Sequence, residues 1–400
     1  MLIRPGYRIV ICEKSPQSVN CICLSQTNLM RNLFFAIAIL FSTPGFTQHY
    51  YLFVGTYTSG KSEGIYVCDF DGSTGAGRLV SSVKSTNPSY LALAPGGAYL
   101  YSVNENGADK QGSVSAYSFD RKTGQLAFIN QEGSGGSDPC FVAVNRDRKW
   151  LVVANYSGGS LSAIPIGEDG SVKPLSQLIQ HEGSGINARR QEKAHVHATF
   201  FSPDERFVLS PDLGMDRLMV YRFNKNVSTP LSGAKDSAIA ILPGSGPRHL
   251  SFHPSLPYLY LLDELTGTVD VYRYHDGILG HRQRLTTEPK DFQGEKGSAD
   301  IHVSPNGRFL YATNRGDGNT IAVYTIDPKN GRLHLKAVQS VLGKHPRNFI
   351  IEPSGRFLLV ANRDTDNIVV FRINQQTGIL KPTGKQIEIP NPVCLKLLRK

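Results

Sequence analysis

A His-Val-His triplet at 195–197, an arginine at 248 inside Gly-Pro-Arg-His, and a glutamate at 264 could together move a proton and hold an anion. An imidazole titrates near neutral pH and can take a proton from water, while guanidinium groups polarise carbonyls or bind anionic substituents. Arg315, Arg347 and Arg363 extend the set, with His195, Asn155, Tyr156 and Asp212 as further candidate positions. Each has a plainer reading. His197 could bond a neighbouring element, Arg248 and Arg315 could form structural salt bridges, Glu264 could simply hold Arg248, and Asp212 could shape a turn or pair with Arg217. No Gly-x-Ser-x-Gly elbow in an α/β setting, no His-Glu-x-x-His and no calcium loop occurs, so neither a serine nucleophile nor a metal or other cofactor is expected. The Gly-rich segments 133–137 and 183–186 do not lie between a strand and a helix and read as loops.

The elements that must position these residues repeat. Polar corners at 88, 139, 196, 247, 299, 346 and 392 recur about every fifty residues. After each corner comes a short strand, Ser-Pro or a relative, then a second strand such as Arg308-Phe309-Leu310-Tyr311-Ala312-Thr313-Asn314. A third strand, a turn such as Asp327-Pro328-Lys329-Asn330-Gly331 and a fourth strand complete the unit. Four strands per repeat is the pattern of a β-propeller blade, and seven corners predict an all-β, seven-bladed ring. Tyr50–Tyr57 matches a second strand with no first strand before it. Asn391-Pro392-Val393-Cys394-Leu395 matches the missing first strand, so the C-terminal strand is expected to close the N-terminal blade. First strands line the channel and a hairpin returns the second. The starts of one and the ends of the other therefore gather at one mouth, where His195, His197, Arg248, Asp300 and Arg347 join Glu105, Tyr156, Glu264, Arg315 and Arg363. Period-two alternation puts His195 and His197 on one side of their strand.

Composition narrows the class. With 40% apolar residues, 400 residues can form one ring, and residues 48–400 are assigned to it without an internal boundary. Residues 30–47, with Arg31, an apolar run from Leu33 to Phe41 and then Ser-Thr-Pro-Gly, follow the pattern of a secretory signal peptide; residues 1–29 read as a leader preceding a true start at Met30. The apolar run is too short for stable membrane insertion. The location implied is periplasmic or secreted if that signal operates, and cytoplasmic otherwise. A net charge of +10 falls to +7 without residues 1–47, no basic run occurs and Trp150 is the only tryptophan, so nucleic acid is not an expected partner. Cys68, Cys140 and Cys394 are too scattered for a disulfide framework and read as buried packing residues. A monomer or weak homodimer is expected.

Gly55-Thr56-Tyr57-Thr58, Ala154-Asn155-Tyr156-Ser157-Gly158-Gly159, His195-Val196-His197 with Pro211-Asp212-Leu213-Gly214, and Gly246-Pro247-Arg248-His249 together resemble the seven-bladed lactonase family. That family contains propeller-type 6-phosphogluconolactonases and carboxymuconate-lactonizing enzymes, and the resemblance spans about 50 to 398. It implies a site at one mouth built from a histidine, two arginines and a glutamate. By motif these are His197, Arg248, Glu264 and Arg315, with His195, Asn155, Tyr156, Asp212, Arg347 and Arg363 as substrate-binding candidates. The implied reaction is metal-free opening of a small anionic sugar δ-lactone, with 6-phosphoglucono-1,5-lactone the leading substrate. The alternatives are a cycloisomerase acting on a muconate-type dicarboxylate and a non-catalytic exported binding module.

Overall fold

The computed structural model describes residues 48–400, which form seven four-stranded antiparallel sheets in a ring. The segments read as leader and signal peptide lie outside the described residues. Among the described residues no helix is long and apolar enough to cross a membrane.

The second strands are buried along their length because each sheet is sandwiched between neighbours. Trp150–Asn155, Phe207–Asp212, Phe309–Asn314 and Phe357–Asn362 have no exposed residue, and they read as continuous apolar runs for that reason. Fourth strands such as Ala76–Lys84 are on the rim and half-exposed. Tyrosines on second strands clasp the next blade: Tyr101, Tyr260 and Tyr311 donate to the carbonyls of Gly170, Gly331 and Gly378 at 3.1, 3.0 and 2.8 Å. The ring closes as expected. Pro392–Arg399 pairs antiparallel with His49–Thr56, giving the N-terminal blade its innermost strand. Phe70 and Phe357 meet edge-to-face across the seam, centroids 6.1 Å apart.

Two local devices aim side chains at the mouth. The residue before proline at five corners has a left-handed backbone: Asn87, Asp138, Gly246, His345 and Asn391, with φ of 40°, 48°, 64°, 59° and 46°. Asn, Asp and Gly tolerate that region, which explains the residue types at the repeat boundaries. Next, a β-bulge skips one residue of the inner strand. Pro247 pairs with Asp263 and His249 with Leu262, leaving Arg248 unpaired; Cys140 and Arg347 are skipped in the same way. A bulge re-aims its extra side chain. Strict alternation along these strands therefore does not hold.

Two expectations need correction. Gly133–Ser137 is not a loop but the end of the strand Gln125–Ser137. The fourth blade's inner strand does not begin at the His-Val-His triplet: Val196 makes only an isolated bridge to Asp212, and the strand is Phe200–Phe201.

Candidate active site

A main-chain hydrogen bond repeated seven times fixes the exits from the second strands. The amides of Tyr57, Glu105, Tyr156, Leu213, Glu264, Arg315 and Arg363 donate to the carbonyls of Asn391, Asn87, Asp138, His195, Gly246, Gly297 and His345. The residue just before each exit is buried beneath the corner. Asn155 donates to the Ser134 carbonyl and to Ser160 and Ser162, and Asp212 accepts from His181, the His195 amide and the Met215 amide. Asp212 is thus held by His181, not by Arg217.

The exits and bulges enclose a cavity of about 360 Å³, to which every blade contributes: Tyr57, Glu105, Cys140 with Tyr156, His197, Arg248 with Glu264, Arg315 and Arg347. An outer basin of about 540 Å³ shares Arg190, Glu264 and Arg315 with it. Glu264 is the hub. Its Oε2 accepts from Arg248 Nη1 at 2.8 Å and lies 3.0 Å from Arg315 Nη2, while Oε1 accepts from Arg190 Nη2 at 2.7 Å. Arg248 Nε is anchored on the Ala299 carbonyl at 2.6 Å, and Arg315 Nε on the Gly297 carbonyl at 3.0 Å. Arg190 also donates to the Tyr156 hydroxyl at 3.2 Å. His197 Nε2 contacts Arg248 Nη1 and is 3.9 Å from Glu264 Oε2. Because a guanidinium can only donate, that nitrogen accepts and the imidazole proton sits on Nδ1.

Burial sets the charge states. Burial, then the adjacent Arg248, holds His197 well below its ordinary pKa, so it is neutral at pH 7. Burial alone would raise Glu264, but Arg315, Arg248 and Arg190 outweigh it and hold the carboxyl well below the usual range. Burial, with Arg248, Arg347 and Arg190 nearby, pushes Arg315 down to about 9, still cationic at neutral pH. Burial raises Glu105, opposed by Arg347. Four arginines thus face three carboxylates, Glu105, Asp138 and Glu264, around one mouth. The balance favours an anionic ligand.

The seven-bladed β-propeller lactonase model matches residues 51–397. The chain belongs to that family. Among these lactonases, a Formosa agariphila protein named 6-phosphogluconolactonase is 38% identical over 86% of this chain and 99% of its own. A Bacillus subtilis protein of the same name is 36% identical over 86% and 97%. The solved structure of a Pseudomonas aeruginosa periplasmic gluconolactonase superposes with a TM-score of 0.84 at 37% identity, covering 88% of this chain and 99% of that one.

The lactonase ring brings His197, Arg248, Glu264, Arg315, Arg347 and Tyr156 into one cavity. His195 is one layer back, stacked on Tyr156 with centroids 4.5 Å apart and its Nε2 3.0 Å from Glu192. Asn155 and Asp212 lie beneath the corners, and Arg363 turns along the rim to Asp364 at 2.6 Å; none of these four lines the cavity. Asp300 sits lower in the channel, bonded to His249, His302 and Asn348. Sequence reasoning missed Arg190 and Tyr57. Tyr57 could have been found as the seventh exit. Arg190 comes from a non-repeating loop, and its only trace is the longer spacing before corner 196. Cys140, read as packing, is buried but also borders the cavity, its thiol donating to the His197 carbonyl at 3.1 Å.

Proposed function

We propose that this lactonase hydrolyses 6-phosphoglucono-1,5-lactone to 6-phosphogluconate. The observation that carries the reading is the cavity itself, where a neutral imidazole and four guanidiniums converge on one small volume. The names of the Formosa and Bacillus relatives support the substrate.

Arg248 and Arg315 attract the C1 carbonyl of the lactone. As Arg248 turns toward that oxygen it releases His197 Nε2, which then accepts a hydrogen bond from water. His197 takes the water proton while the oxygen attacks C1, and the guanidiniums stabilise the oxyanion. Collapse breaks the C1–ring oxygen bond, and His197 returns its proton to the ring oxygen. The new carboxylic acid ionises to solvent. Glu264 keeps three arginines gathered and offsets the charge of the transient imidazolium.

A second reading, an exported lactonase for the unphosphorylated sugar lactone, is favoured by the Pseudomonas relative's name and by the apolar run before Thr47. One assay separates them: protein starting at Gln48 against both lactones, beside a no-enzyme blank and His197→Ala. Faster loss of the phosphorylated lactone, reduced about 100-fold or more in folded His197→Ala, is the expected result. Preference for the plain lactone selects the second reading. No acceleration of either brings the cycloisomerase and binding-module alternatives forward.

A further inference from the structure

Three of the four arginines in the cavity are committed. Arg190, Arg248 and Arg315 all contact Glu264, and the latter two are also anchored on main-chain carbonyls. Arg347 is different. Among the described residues its guanidinium makes no hydrogen bond; the nearest carboxylate oxygen, of Glu105, is 4.0 Å away. Glu105 is itself occupied by Tyr57 and Ser89. The guanidinium lies over the Tyr57 ring, 5.3 Å from its centroid, with only 15% of the side chain exposed. A nearly buried cation with five N–H groups and no acceptor is poised for an anion brought from solution.

Its placement follows from the fold. Arg347 and Arg248 are the skipped residues of equivalent bulges in two blades, so the ring presents two arginines in like fashion at one mouth. One is engaged by His197 and Glu264. The other faces the same cavity with its donors free.

We infer that Arg347, backed by Tyr57, binds the phosphate of the substrate and sets the preference for a phosphorylated over a plain lactone. This rests on the proposed hydrolysis and adds the residue that reads the anionic end. Guanidinium–phosphate recognition is bidentate and strong, and the aromatic face holds the planar group in orientation.

The test compares wild type with Arg347→Gln and Arg347→Lys on both lactones. Arg347→Gln is expected to raise KM for the phosphorylated lactone about 10- to 100-fold with kcat changed far less. The plain lactone should suffer less, so the kcat/KM ratio between the two falls by about the same factor, and Arg347→Lys should recover part of it. Inorganic phosphate should compete with the plain lactone in wild type and compete at least tenfold more weakly in Arg347→Gln. Equal losses on both lactones, or no inhibition of wild type by phosphate, would overturn the inference while leaving hydrolysis intact. If wild type opens neither lactone, the hydrolytic reading fails first.

Discussion

At Glu264 one buried carboxylate holds three guanidiniums. A buried ion pair that loses one partner leaves uncompensated charge, a more serious loss than the net worth of the pair. Glu264→Gln should therefore lower stability by about 3–5 kcal/mol as well as slow turnover, measured by thermal melts beside the lactone assay. Since Glu264's pKa is lower in the folded protein than in the unfolded chain, its stabilising contribution is present above the unfolded value, near 4.5, and is lost as pH falls toward the folded value. The wild-type melting temperature should drop through that acid range more steeply than that of Glu264→Gln; parallel curves would contradict the assigned role. Which side chains touch Glu264 was only partly legible. Arg248 and Arg315 could be placed because they belong to the repeat, whereas Arg190 belongs to a loop whose path depends on tertiary contacts that no period encodes.

The strand corners show what a repeat reveals and where it stops. The recurrence of the corners and their turn chemistry located the blades and the closing strand, since those depend on local backbone preference and burial. The bulge was not legible: skipping Arg248 in the pairing requires knowing how the inner strand meets its neighbour, not only its own sequence. Asn155 and Tyr156 illustrate the same limit. Adjacent in the chain, they differ because one anchors the hairpin beneath the corner and the next leaves over the mouth. Gly246 tests the device directly, since its φ is +64° and a Cβ there would meet Leu265 Cγ at 2.5 Å. Gly246→Ala should cost about 1–3 kcal/mol and lower kcat by displacing Arg248, as read by melting and by the lactone assay. Unchanged kcat would mean that the bulge, not the corner, holds the guanidinium.

Across the whole molecule, the strand Pro392–Arg399 joins the ring to its own beginning. A chain ended at 391 should leave the inner edge of His49–Thr56 unpaired, lose cooperative unfolding and associate into larger species, which melting and size-exclusion chromatography would register. A monomer with the wild-type melting temperature would show that closure contributes little. The seven exits around the mouth have a different consequence. Main-chain atoms hold them, so a mutation can exchange what projects from an exit without removing its support. Inheritance of shape and inheritance of diet are thereby separable: descendants of one ring can drift from one nutrient to another by a few changes at the rim, while the architecture passes on unaltered.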